Sequence, residues 1–261
     1  MQIDLNADLG EGFGRYTVGD DEALLRVVSS ANIACGLHAG DPLVMARTVR
    51  VAASRGVAIG AHPGYPDLQG FGRRALTMAA EELEAVILYQ LGALAGFCQA
   101  EGAQLRHVKA HGALYNTAAR EPTQAASVAR AIAAFDPGLI VVTMPGSALA
   151  QAAKSLHLAV AYEGFADRAY EDDGTLASRN RPGAVLHDPP AICERAVRMA
   201  AREEVVTVSG KVIRLRVDTI CIHGDTPGAA EIAATLRQAL EEAGIQIVPL
   251  TTKQLRATPE P

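Results

Sequence analysis

Short apolar runs alternate along this chain with longer stretches whose apolar residues recur every three to four positions. That alternation predicts strands feeding amphipathic helices, and hence a parallel sheet. The strand-like runs are Gln2–Asp8, Ser30–Cys35, Val57–His62, Arg106–His111, Leu139–Thr143, Ala159–Glu163 and Asp218–His223, with a short last one at Gln246–Leu250. Helical patterns fall at Asp21–Val28, Leu43–Arg55, Ala80–Glu101, Thr123–Phe135, Ala148–Ser155, Ala191–Arg202 and Ala229–Ala243. Gly56, Gly102 and Gly244 follow helix ends as stop signals, Asp20 suits an N-cap, and Thr226-Pro227 suits a helix start. Val205–Val217 breaks the rhythm: two strand-like runs about Ser209-Gly210 predict an inserted β-hairpin.

Such βα units either close into a barrel or lie open with helices on both faces. The parity of the first run decides for the barrel. Asp4, Asn6 and Asp8 alternate with Ile3, Leu5 and Ala7, giving one polar and one apolar face. A strand covered by helices on both faces would be apolar almost throughout. The expected fold is an α/β, seven-stranded variant of the β/α barrel with a small hairpin insertion. One domain is expected over residues 1–250, followed by a tail, 251–261.

Composition narrows the function. A net charge of −5 in 261 residues, with no basic run, speaks against nucleic acid. Four cysteines far apart, with no CxxC pair, fit reduced thiols in a cytoplasmic protein. The acidic, non-apolar start is unlike a signal peptide, and no uninterrupted apolar stretch reaches membrane-spanning length, so no membrane is expected. No GxxxxGK[ST] loop occurs, and the glycines of Gly10-Glu11-Gly12-Phe13-Gly14 do not complete a dinucleotide fingerprint.

The polar residues gather where the strand-like runs end, which in barrel enzymes is where catalytic groups sit. The candidates are Asn6 and Asp8, then Asn32 and His38, His62 and Gly64, Lys109 and His111, Glu163, Asp167 and Arg168, and His223 and Asp225. A lone strand-end histidine is more often structural than catalytic, but here His38, His62, His111 and His223 recur in that position. His107 stands at the start of its run and reads as structural; His157 and His187 read as surface residues. Asp8 is the strongest carboxylate candidate, with Asp4 and Asn6 either supporting it or filling the lumen. The glycine-rich segment from Gly64 to Arg74 ends in Arg73 and Arg74, whose planar guanidinium forks suit a carboxylate or phosphate. Phe165–Pro182 reads as a long polar loop, either a lid over the site or a solvated surface loop.

The segments NADLGEGFG, NIACGLHAGDP, AHPGYPDLQGFGRR, VKAHGALYN, EGFADRAYEDDGTLASRNRPGAVL and CIHGDTPGA resemble the LamB/YcsF family over essentially the whole chain. The resemblance implies one component of an ATP-dependent hydrolase that opens 5-oxo-L-proline to L-glutamate, working with two partner subunits, B and C. It also implies a fold grouped with polysaccharide deacetylases, whose metal is held by an aspartate and two histidines. Asp8, His38 and His62 fill that role by residue type, so a divalent metal joins ATP as an expected cofactor. In the implied chemistry a histidine or aspartate activates water. Lys109, Arg168 or backbone amides meet the oxyanion, and Arg73 or Arg74 takes the substrate carboxylate. Two further readings stay open: a stand-alone metal-dependent amide or sugar deacetylase, and a substrate-binding component whose chemistry lies in its partners.

Overall fold

The structure, a computed structural model, describes residues 1–178, 181–222, 228–252 and 255. Its strands are β1 (Gln2–Leu9), β2 (Ser30–Ala34), β3 (Ala58–His62), β4 (Leu105–Lys109), β5 (Ile140–Thr143), β6 (Ala159–Phe165), β7 (Glu204–Val206), β8 (Val212–Arg214), β9 (Thr219–Ile222) and β10 (Gln246–Ile247). The helices are α1 (Asp21–Leu24), α2 (Pro42–Ser54), α3 (Ala80–Ala100), α4 (Gly112–Arg120), α5 (Pro122–Phe135), α6 (Ala148–Ser155), α7 (Pro189–Arg202) and α8 (Ala229–Glu242). Strand and helix positions follow the sequence pattern closely, except that α1 ends at Leu24 where the pattern runs to Val28, and that the pattern does not reveal α4.

Seven parallel strands close into a barrel in the order β1-β2-β3-β4-β5-β6-β9, with β9 pairing back onto β1 and β10 lying along β1 outside the ring. The closure registers are Asn6↔Cys221 between β1 and β9 and Glu163↔Thr219 between β6 and β9. The expected hairpin is present as the antiparallel pair β7–β8, Val205 opposite Ile213. Thr226 and Pro227 lie outside the described residues; α8 begins after Gly228 in left-handed conformation.

Strand parity sorts the chain into two environments. Ile3, Leu5, Ala7 and Leu9 turn outward into the apolar core between barrel and helices, with Leu83, Ile87, Leu91 and Leu94 of α3. Asp4, Asn6 and Asp8 turn inward, where Asn32, Lys109 and Thr219 meet them. One arc of the lumen is apolar: Ile140, Val142 and Ala161 form a separate small cluster closed by Leu250. α3 is long and apolar enough, by length and composition, to cross a membrane. Its buried face nevertheless packs on the barrel, and Gln90 at its centre bonds both the N–H and the carbonyl of Gly64 at 2.9 Å.

His107 illustrates how tightly the lumen is filled. Its ring is wholly buried and Nε2 donates to Asn32 Oδ1 at 2.9 Å. A Cβ at Gly60 would fall on that ring. Gly60→Ala should therefore cost roughly 1–3 kcal/mol by overpacking, about 5 °C in melting temperature. Calorimetry checks this; an unchanged melting temperature would show that His107 has room to move.

Candidate active site

The carboxyl ends of β1, β3, β4 and β6 and the loops after them meet in a cavity of about 370 Å³. Asp8, Glu11, His62, Lys109 and His111 line its floor; Arg73, Asn116, Arg120 and Arg168 stand on its walls. Leu176, Ala177 and Ser178 close one side.

Lys109 organises the floor. Its ammonium lies 2.8 Å from Asp8 Oδ1, 2.7 Å from Glu163 Oε1 and 3.1 Å from Cys221 Sγ. Its three N–H groups go to Asp8 Oδ1, to Cys221 Sγ and, at 3.4 Å, to Asn6 Oδ1, while Glu163 is an ion-pair neighbour that takes no hydrogen bond among the described residues. Burial opposes the charge on Lys109, but Asp8, Cys221 and Glu163 outweigh it and hold the ammonium pKa well above its ordinary value. Asp8 Oδ1 also accepts from Asn32 at 2.9 Å, and Asp8 Oδ2 lies 3.5 Å from His62 Nε2. The Phe165 ring lies beneath the ammonium, 5.5 Å from Nζ to centroid.

Above this pair three imidazoles and a carboxylate converge. Ligand atoms of Glu11, His38, His62 and His111 all lie within 4.8 Å of one another, and all four residues are buried. Backbone carbonyls fix two of the tautomers. His62 Nδ1 donates to Lys109 O at 2.8 Å and His111 Nε2 to Phe71 O at 2.7 Å, because a carbonyl can only accept. In the neutral rings this leaves lone pairs on His62 Nε2 and His111 Nδ1, which face each other at 3.0 Å. Glu11 Oε1 is 3.2 Å from His111 Nδ1 and 3.5 Å from His38 Nε2. Oε1 of Glu11 and both ring nitrogens of His38 make no hydrogen bond among the described residues. Lone pairs packed so closely repel unless a proton or a cation stands among them. Imidazoles and a carboxylate, with carbonyls orienting the rings from behind, form a donor set suited to a divalent transition metal.

Electrostatics agrees with that reading. Burial pushes His38 down to about 3, keeping it neutral. Burial also disfavours a charge on His62, but Asp8 outweighs it and raises the pKa. Burial would raise Glu11, yet contacts with His111 and His38 bring it down to about 2. Two glycines make room for the rings. A Cβ at Gly64 would lie 2.8 Å from His38 Nδ1, and one at Gly72 would lie 2.7 Å from the His111 ring. Gly72 also has φ +63°, which favours glycine. His38 and His111 then stack with centroids 3.7 Å apart.

Several expectations change here. Of the expected metal trio, His38 and His62 join the cluster, while Asp8 is bound to Lys109 and Asn32 beside it. Glu11 and His111 join those two histidines, and Asp8 Oδ2 lies at the edge of the cluster, 3.5 Å from His62 Nε2. Arg74 points away, its guanidinium paired with Asp67 at 2.9 Å through Nε, because the turn Asp67–Gly70 holds that carboxylate toward it. Arg73 does line the cavity, over the Phe71 ring. Glu163 is deep in the lumen on Lys109, and Asn6 and Asn32 lie beneath Asp8. Asp167 is buried but outside the cavity lining, close enough to Arg195 to act on its charge. His223 and Asp225 lie outside the described residues. The long loop after β6 is tied down: Arg168 Nη2 donates to Ala177 O at 2.7 Å, and Asp172 accepts from Thr207 and Ser209 of the hairpin at 2.6 and 2.7 Å.

Sequence reasoning alone misses Glu11, Tyr115, Asn116 and Arg120 as site residues. Gly112, Asn116 and Arg120, four residues apart, lie on the face that α4 turns to the cavity, a placement visible only once the helix is known.

The chain matches the LamB/YcsF family over residues 3–255. It is 53% identical over 250 residues to a Pyrococcus abyssi protein named as the A component of 5-oxoprolinase, covering 96% of this chain and 98% of that one. It is 55% identical over 248 residues to a Bradyrhizobium diazoefficiens protein named as a second version of the same component, covering 95% and 97%. Among solved structures it resembles a lactam utilization protein from Thermus thermophilus, with TM-score 0.92, 46% identity and coverage of 96% and 100%. A family 4 carbohydrate esterase from Streptomyces lividans shares the fold at TM-score 0.53 and 14% identity, over 98% of this chain and 96% of that one.

The convergent donors predict stoichiometric uptake of a divalent ion such as Zn²⁺ by the purified chain. Glu11→Gln and His111→Ala should each weaken it by at least about tenfold. Affinity should fall as pH drops through the raised pKa of His62, since protons and metal compete for Nε2. Competition titrations at pH 6 and pH 8 test this; equal affinity at both would remove His62 from the ligand set.

Proposed function

We propose that this chain, which belongs to the LamB/YcsF family, is one component of an ATP-dependent 5-oxoprolinase and that its cavity opens the lactam ring. The reading is carried by identity above one half, over nearly the full length, to proteins named as the A component of that enzyme. The overall reaction takes 5-oxo-L-proline, ATP and two waters to L-glutamate, ADP and phosphate. It runs in the cytoplasm with partner subunits B and C. The chain has no GxxxxGK[ST] loop, so the nucleotide is held either by the barrel in another manner or at an interface with the partners.

A five-membered lactam is a poor electrophile; transfer of the ATP γ-phosphoryl group to its oxygen, with release of ADP, makes the carbon attackable. The water adduct breaks the ring C–N bond as the amine takes up the proton drawn from that water. The second water hydrolyses the resulting acyl phosphate to glutamate and phosphate. Asp8 is the base: Lys109 and Asn32 hold Oδ1, and Oδ2, on the His62 side, takes a proton from the attacking water. Lys109 is engaged by Asp8, Cys221 and Asn6, so Arg168, on the cavity wall, meets the charge at the phosphorylated oxygen. Arg73 receives the substrate carboxylate. A divalent ion on Glu11, His38, His62 and His111 would supply Lewis-acid polarisation of the amide and a more acidic water.

The test is glutamate release from 5-oxoproline by the purified chain, with and without both partners and ATP. Turnover should require all three components. Robust ATP-independent turnover by the isolated chain would favour the deacetylase-like alternative, to which the cluster of imidazoles lends some support. In the assembled system Asp8→Asn should keep the fold and lower turnover by roughly a hundredfold or more, as for loss of a positioned base. A lower melting temperature with undiminished turnover would take Asp8 out of the chemistry and favour a component that only binds substrate.

A further inference from the structure

Below Asn32, which holds Asp8, the lumen continues as a polar column that the chemistry above does not use. Asp4 is 2% exposed, and its carboxylate accepts three hydroxyls: Ser29 at 2.8 Å and Ser30 at 2.6 Å on Oδ1, and Thr219 at 2.5 Å on Oδ2. Thr219 Oγ1 accepts in turn from Asn6 Nδ2 at 2.6 Å. Asn6 Oδ1 accepts from Asn32 Nδ2 at 2.7 Å. The same Asn32 Nδ2 donates to Asp8 Oδ1, and Asn32 Oδ1 accepts from His107.

Every link in this column has a direction: Asp4 sets it at Thr219, and the Lys109 ammonium, 3.4 Å from Asn6 Oδ1, favours the same direction at Asn6. A hydroxyl has one proton. Because the Thr219 proton goes to the Asp4 anion, its oxygen faces Asn6 as an acceptor. Asn6 must then turn its NH₂ to Thr219 and its oxygen to Asn32. Asn32, held from the other side by His107, spends one N–H on Asn6 and one on Asp8. A neutral Asp4 removes the reason for the Thr219 proton to point that way. A flipped Asn6 amide would set two NH₂ groups against each other and break the Asn32 bond to Asp8.

We infer that Asp4 is a positioning residue for Asp8: its negative charge orients the chain Thr219–Asn6–Asn32 that ends on the Asp8 carboxylate. The inference deepens the lactam-opening reading and rests on it for its kinetic consequences, though not for its structural one. Burial raises the Asp4 pKa to about 6, against the three hydroxyls and aided by Glu163. Glu163 on β6, His107 and Lys109 on β4 and Cys221 on β9 are the other titratable groups turned into this lumen.

Two measurements decide it. In isotope-labelled chain, the side-chain amide resonances of Asn6 and Asn32 should move together with a midpoint near 6, and should not do so in Asp4→Asn. In the assembled system, Thr219→Val should lower kcat about tenfold with KM unchanged, and Thr219→Ser, which keeps the hydroxyl, should recover most of it. Asp4→Asn should lower kcat and abolish the part of the acid limb centred near 6. Amide resonances that stay fixed between pH 5 and pH 8 would overturn the inference. So would wild-type kcat in Thr219→Val with only a lower melting temperature. If the wild-type assembly shows no 5-oxoprolinase activity, the functional reading fails and the amide titration alone decides the role of Asp4.

Discussion

The site rests on one buried ammonium between two carboxylates. Lys109 is taken out of water together with Asp8 and Glu163, and such desolvation costs several kcal/mol per ion unless every charge is closely paired and hydrogen-bonded. The barrel meets that demand by turning a polar face inward on β1, β2, β4, β6 and β9, while its outward residues make the apolar core with the helices. Removing Lys109 would leave two carboxylates facing each other in a space with little water. Asn6, Asn32, Cys221 and Thr219 are on the lumen face because this pair has to be solvated by protein instead.

The second constraint is the crowding of lone pairs above that pair. Carbonyls of residues 71 and 109 commit one nitrogen each of His111 and His62, so the remaining nitrogens face each other, Glu11 and, from His62, Asp8. The arrangement is costly for an empty protein and favourable around a cation. Gly64 and Gly72 are part of it, since side chains there would push the imidazoles apart. The Asp8 carboxylate and the Glu11–His38–His62–His111 cluster thus share His62, which lies 3.5 Å from Asp8 Oδ2.

Much of this is legible in sequence because strand parity is a local property. The alternation Asp4-Leu5-Asn6-Ala7-Asp8 alone separates lumen from core, and the strand-end clusters locate the cavity. Pairings across strands are not legible. That Lys109 meets Glu163 and that Asn32 lies under Asp8 depends on the stagger between strands, which no single run encodes. α4 is hidden because its first residue is glycine and it follows a polar cluster that reads as a loop. Glu11 sits between two glycines and looks like part of a turn, yet glycine there lets the chain fold back so that the carboxylate reaches His111. Arg73 and Arg74 are indistinguishable by type; only the Asp67 turn, which captures Arg74, separates them.

If the lactam ring opens in this cavity, between Asp8 and Arg73, the substrate must bind there in one orientation. A crystal structure of the chain with 5-oxo-L-proline should show the lactam carbonyl on the Asp8–His62 side and the carboxylate on Arg73. Binding should weaken in Arg73→Ala but not in Arg74→Ala. Lactam bound elsewhere on the chain, or held equally well without Arg73, would contradict that placement of the chemistry.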